Sequence, residues 1–126
     1  MVFSTFCLAL VIYTEARGEP IDGQLLVAEV VLNRVQMERY PDNVCEVAFD
    51  HKQFSGLNKT PDLQGVFNDP AWEVSVGVAE ESLEGATLSV GATHFHATGK
   101  TPYWASHMEL LGQYGNHIFY RETHND

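Results

Sequence analysis

The run 2–13 constrains this chain most, because it holds no ionisable side chain except Cys7 and Tyr13 and is followed almost at once by Glu15. A helix built from such a run must be wrapped by protein on most sides, since apolar surface left in water forfeits about 25 cal/mol per Å². It therefore carries Glu15 to the edge of the core. Gly18 and Pro20 come next, and both residue types punctuate helix ends. A carboxyl at such a place is partly desolvated and keeps its proton to higher pH than a free one. That property suits a general acid working near neutrality.

The same run is too short to span a bilayer, which takes roughly 20 residues. It has the apolar character of a secretory h-region, but no basic n-region or small-residue cleavage pattern accompanies it. A core helix is the expectation. The 126 residues, 44% of them hydrophobic, suffice for one compact domain over 1–126 and not for two. Seventeen acidic against seven basic residues give a formal charge of −10. This disfavours nucleic acid or an anionic membrane surface as the main partner and leaves neutral, polymeric or small-molecule ligands. No cofactor, no stable membrane insertion and a monomeric state are expected. Cys7 and Cys45 both lie in apolar runs and read as buried thiols, with a single bridge between them as the minor alternative.

Patterning predicts a mainly α chain of the α+β class. Helices are expected over 4–16, over 22–39 with Asp22 as cap, and over 42–49. A long Gly-, Pro-, Asn- and Asp-rich loop should follow over 50–68. Asp69 and Pro70 form a cap and first-turn proline, and Trp72, Val76, Ala79 and Leu83 mark the inward stripe of the next helix, with Glu73, Glu80, Glu81 and Glu84 facing solvent. Beyond it, 92–97 and 117–121 are rich in β-branched and aromatic residues and should pair as a small antiparallel ribbon. The stretch 102–115 between them reads as loop with a helical turn near 108–111.

Four segments carry a resemblance. Residues 13–24 read Tyr-Thr-Glu-Ala-Arg-Gly-Glu-Pro-Ile-Asp-Gly-Gln, residues 27–35 Val-Ala-Glu-Val-Val-Leu-Asn-Arg-Val, residues 53–55 Gln-Phe-Ser, and residues 115–120 Gly-Asn-His-Ile-Phe-Tyr. In this order the chain resembles the SleB/CwlJ cell-wall hydrolase family over about residues 10–121. The resemblance implies a lysozyme-like, mainly α domain that cleaves the glycan strands of peptidoglycan, usually as a lytic transglycosylase, with Glu15 as acid/base. One departure stands out. Where the family has a Phe-Asn-Pro turn after its aromatic strand, residues 94–98 read His-Phe-His-Ala-Thr, while Tyr103 and Trp104 fall in the family's Trp-containing segment.

Ordinary glycoside hydrolysis needs a second carboxylate, about 5–5.5 Å from the acid for retention or about 6.5–9.5 Å for inversion. None is evident: Glu19 and Asp22 belong to a turn and a cap, and Asp50 to the loop. Without one, the C6 hydroxyl of muramic acid can attack its own anomeric carbon while Glu15 takes the proton, leaving a 1,6-anhydro end. A hydrolytic muramidase with a second acid is the alternative.

Aromatic faces pack on pyranose rings and polar side chains bond the hydroxyls and N-acetyl groups. Tyr13, Gln53, Phe54, Ser55, His94, Tyr103, Trp104, His117 and Tyr120 are therefore candidates for the glycan. Phe54, Phe95, Phe119 and Tyr120 compete for the core. Arg17 and Glu19 offer a local ion pair beside Glu15, and Asn33, costly inside an apolar helix unless bonded, is expected to support the Glu15 loop from behind. His94, His96, His107 and His117 raise a zinc amidase or peptidase as a competing class, although no spacing matches a metal motif and no metal is expected. A sugar-binding or inhibitor module with a structural Glu15 is the third. The expected place of action is the bacterial wall. With no export signal evident, the reading is of a protein made in the cytoplasm and released at phage lysis, or of a fragment of an exported enzyme.

Overall fold

The computed structural model describes residues 2–50, 54 and 62–123. Helix α1 (Phe3–Ala16) buries every residue from Cys7 to Tyr13 together with Ala16, so it has no solvent face along most of its length. It packs against α2 (Ile21–Val35), α3 (Val44–Ala48) and α5 (Pro70–Leu83). Gly18, at φ +81°, ends it by taking a left-handed conformation that costs glycine little. As expected, the apolar run is the central helix.

The second helix stops at Val35, four residues earlier than the expected 39. Beyond it the bonds tighten to i−3 contacts, from Gln36 to Asn33 and from Met37 to Arg34, the usual way a last turn is closed. Tyr40 precedes Pro41 and is steered away from the helical region. Helix α3 is capped by Asn43, whose side chain accepts from the Glu46 amide at 2.9 Å. Part of the expected loop is instead helix α4 (Leu63–Asn68), which turns Val66 inward and sets Phe67 against Trp72 at 5.3 Å. Its Leu63, Val66 and Phe67 have helical spacing inside a Gly- and Asp-rich background that masked it.

Helix α5 starts as expected, with Asp69 accepting from the Ala71 amide at 2.9 Å and Pro70 in the first turn. Of the expected stripe Trp72 and Ala79 face inward, joined by Ser75, Val78 and Ser82, while Val76 is half-buried and Leu83 is exposed. Small side chains let α5 approach α1 and α2 closely, and that selects the serines over the bulkier leucine. Glu73, Glu80, Glu81 and Glu84 face solvent.

The sheet is antiparallel in the order β1-β3-β2, with β1 (His94–Ala97), β2 (Glu109–Tyr114) and β3 (His117–Arg121). The expected ribbon is β1 on β3, with His94 opposite Tyr120 and Phe95 opposite Phe119. The third strand replaces the expected loop: residues 103–107 form a 3₁₀ turn, and β2 follows with an irregular register between Leu110 and Gly112. A glycine at φ +141° makes that bulge available, and its break in alternation hid the strand. Among the described residues, no helix is long and apolar enough to cross a membrane.

Cys7 and Cys45 form a disulfide, with Cα atoms 5.2 Å apart, which corrects the reading of two buried thiols. Cys7 is buried on α1 and Cys45 half-buried on α3, and spacing alone did not reveal that the two helices bring them together. The bridge closes a 38-residue separation, for which loop-closure entropy gives about 3–4 kcal/mol. Replacing both residues, as Cys7→Ala with Cys45→Ala, should lower the urea unfolding free energy by about that amount. A midpoint equal to that of the oxidised parent would contradict a stabilising bridge.

Candidate active site

Glu15 lies in the last turn of α1, half-buried, and lines an open recess of 330 Å³ together with Tyr13, Thr14 and Arg17. The helix that carries it is immobilised by its own burial. Thr14 turns its hydroxyl back to the Leu10 carbonyl at 2.9 Å, so the polar atoms at the recess are those of Glu15 and its neighbours.

On either side of Glu15, Tyr13 and Arg17 reach the same acid. The Tyr13 hydroxyl donates to Asp69 Oδ2 at 2.6 Å, and Arg17 Nη1 donates to both the Tyr13 hydroxyl and Asp69 Oδ2 at 2.8 Å. Asp69 Oδ1 is taken by the Ala71 amide. The Tyr13 bond, then that amide, hold the Asp69 carboxyl below its ordinary range, and the Tyr13 phenol is raised chiefly by the same Asp69 contact. Arg17 therefore pairs with Asp69 and not, as expected, with Glu19. The Tyr13 ring packs edge-on against Trp72 and its hydroxyl is engaged, which makes it a bracket of the turn more than a free sugar contact.

Glu19 has a different task. Its carboxylate accepts from the Asn116 backbone at 2.8 Å and from the Asn116 side chain at 3.2 Å, which fastens the tip of the β2–β3 hairpin beside the end of α1. Gly115 at that tip has φ +62°, and a Cβ there would run into the Glu19 carboxylate and Pro20. Asn33 does not support the Glu15 loop. It donates to the Ala92 carbonyl at 2.7 Å, and buried Arg34 donates to the Thr93 carbonyl at 2.9 Å, so α2 grips the segment entering β1.

Sequence reasoning missed two acids here. Buried Glu29 accepts from the Thr87 hydroxyl and the amides of Leu88 and Gly91 at 2.6–3.2 Å, anchoring the connection from α5 to the sheet. A charge amid Val27, Ala28, Val30 and Val31 was the available signal. Asp69 was read only as a cap, since nothing local to it announces a partner 56 residues away.

The sheet sorts its aromatic residues by face. Phe95, His117 and Phe119 turn inward, with Phe54 behind them at 6.4 Å from Phe95. Phe54 is 2% exposed and His117 is buried with Nδ1 unpartnered, so neither offers a surface to a glycan, against the expectation for both. Burial pushes the His117 imidazole down. On the other face His94 and His96 pack at 5.1 and 5.7 Å from Trp104, and His96 stacks on Tyr120 while sharing a 2.9 Å hydrogen bond with its hydroxyl; Tyr120 itself is 8% exposed, as buried as His117 and against the expectation of a glycan contact. Tyr103 stands 85% exposed beside this cluster. Gln53 and Ser55 lie outside the described residues. Among those described, no three His, Cys, Asp or Glu side chains are placed to hold a metal ion.

Burial, followed by the charges of Arg34 and Arg39, pushes the His94 imidazole down to about 4 from an ordinary 6.5. Between those two values the unfolded chain binds a proton that the folded one excludes, so this residue's contribution to stability is lost as pH falls through the window. The His94 ring resonances should titrate near pH 4, and the parent should lose more stability than His94→Gln between pH 6.5 and 4. A His94 midpoint near 6.5 would contradict the burial described.

A family model described as Cell Wall Hydrolase matches residues 18–120, beginning just after Glu15. The chain is 34% identical over 118 residues to a spore cortex-lytic enzyme of Halalkalibacterium halodurans and 42% identical over 113 residues to one of Bacillus subtilis. Each match takes in 89% of this chain but only 33% and 35% of those relatives, so the chain spans about a third of their length. Its fold matches the catalytic domain of the germination-specific lytic transglycosylase SleB from Bacillus anthracis with a TM-score of 0.77 at 24% identity, covering 94% of this chain and 93% of that one. The catalytic domain of the Bacillus cereus SleB protein gives 0.76, also at 24% identity, covering 94% and 89%. On the strength of the family model, which covers most of its length, the chain belongs to the cell wall hydrolase family.

Proposed function

We propose that residues 1–126 act as one catalytic domain that cleaves peptidoglycan glycan strands between N-acetylmuramic acid and N-acetylglucosamine, as a lytic transglycosylase with Glu15 as both acid and base. The observation that carries this reading is the recess at the end of α1, in which Glu15 is the one carboxylate among the described lining residues. The curated relatives, named spore cortex-lytic enzymes, support the choice of substrate.

Asp69 is the acid bonded to the neighbours of Glu15, and its oxygens are engaged by Tyr13, Arg17 and the Ala71 amide. A carboxylate so occupied is poorly placed to activate a water, which argues for the route without a second acid and against a hydrolytic muramidase.

In the proposed reaction, neutral Glu15 gives its proton to the glycosidic oxygen as the bond from that oxygen to C1 of the muramic residue breaks. The C6 hydroxyl of the same residue then attacks C1, and the Glu15 carboxylate takes the hydroxyl proton. One proton leaves Glu15 and one returns, no water is consumed, and the new end is a 1,6-anhydro sugar. Trp104 and exposed Tyr103 supply ring faces suited to pyranose stacking.

Glu15→Gln keeps the size of the side chain and removes its proton chemistry. It should lower the rate of glycan cleavage by about 10²–10⁴ with an unchanged circular dichroism spectrum. Turnover within about threefold of the parent would rule Glu15 out as the acid.

A further inference from the structure

Among the described residues lining the recess, Arg17 is the cation, and its side chain is 55% exposed. It stands two residues from Glu15, beyond the end of the regular helix, where its long side chain can sample more than one direction. An arginine paired with the catalytic carboxyl would favour the ionised form, and an ionised Glu15 has no proton to give to the leaving oxygen. The structure directs that cation elsewhere. Nη1 makes a charge-assisted bond to Asp69 Oδ2 and a second bond to the Tyr13 hydroxyl, and the guanidinium lies 5.1 Å over the Tyr13 ring. Tyr13 and Asp69 are themselves joined at 2.6 Å, so Tyr13, Arg17 and Asp69 close into one ring of hydrogen bonds. The charged or titratable groups at this turn, among the described residues, are Tyr13, Glu15 and Arg17 on the α1 side and Asp69 from α5, while Glu19 is held by Asn116.

We propose that Asp69 is a positioning residue for catalysis, which holds the Arg17 guanidinium on the Tyr13 side of the turn and so keeps it from pairing with Glu15. This rests on the assignment of Glu15 as the acid. The role differs from helix capping, which Asp69 performs through its other oxygen, Oδ1. Asparagine caps as well as aspartate, so Asp69→Asn retains the Oδ1 acceptor for Ala71 and removes both the charge and the Oδ2 acceptor that hold Arg17 and Tyr13.

The two functions are separated by a double-variant cycle on Asp69→Asn and Arg17→Gln, read as kcat and KM on purified glycan strands. Asp69→Asn should lower kcat about tenfold with KM within about twofold, because the freed cation acts on the acid and not on substrate binding. Adding Arg17→Gln removes that cation, and the double variant should return to within about threefold of Arg17→Gln alone. Losses in the double variant equal to the product of the two single losses would overturn the proposal, as would an unchanged kcat in Asp69→Asn. Glu15→Gln, run alongside, distinguishes the two levels. If it stays active, the acid assignment itself fails; if it is inactive while the cycle is multiplicative, only the role of Asp69 fails.

Discussion

Burial of α1 is the constraint on which the rest of this structure depends. The helix is apolar around its whole circumference from Cys7 to Tyr13, so α2, α3 and α5 must all pack on it, and the disulfide to Cys45 ties one of them covalently. Full burial of each large aliphatic side chain contributes about 1.5–3 kcal/mol, enough in sum to fix the axis of α1 against any local preference. Because the helix cannot move, its last turn cannot either. Glu15 is then presented at a defined edge of the core, where packing gives way to an open recess.

A set of buried or half-buried polar contacts carries that rigidity into the sheet. Glu29, Asn33 and Arg34 lie on α2 and bond backbone groups between residues 88 and 93, so the path from α5 into β1 is held at several points. At the opposite end, Glu19 holds the hairpin tip at Asn116. Groups of this kind are costly to bury unless bonded, and here the bonds join the helical layer to the strands. The aromatic face of β1 and β3 is consequently oriented by α2 and the α1–α2 turn, elements that themselves lean on α1.

How much of this was legible in the sequence follows from the range of each interaction. The run 2–13 announced a central helix, and Gly18 and Pro20 its end, because burial and chain termination are written in adjacent residues. Asp69 and Pro70 marked the start of α5 for the same reason. Features that depend on distant partners were not legible. The Cys7–Cys45 bridge, the Asp69–Tyr13 bond and the Asn33 contact with Ala92 each join residues 38 to 59 positions apart, and no local pattern encodes them. The strand Glu109–Tyr114 was hidden by its glycine bulge, and α4 by the polar residues around its three apolar ones. Among the candidate glycan contacts, inward-facing His117 shares its residue type with His94 and His96 on the other face, and only the strand register tells the faces apart.

In the proposed reaction one carboxyl, Glu15, serves as both acid and base, with no water consumed. Mass spectrometry of the fragments released from purified peptidoglycan tests it most directly. Muramic ends should be lighter by about 18 Da than the corresponding reducing sugars, the mass of the water that hydrolysis would have added. Reducing muramic ends throughout the digest would contradict it, and would require a second carboxylate or a positioned water at the Glu15 recess.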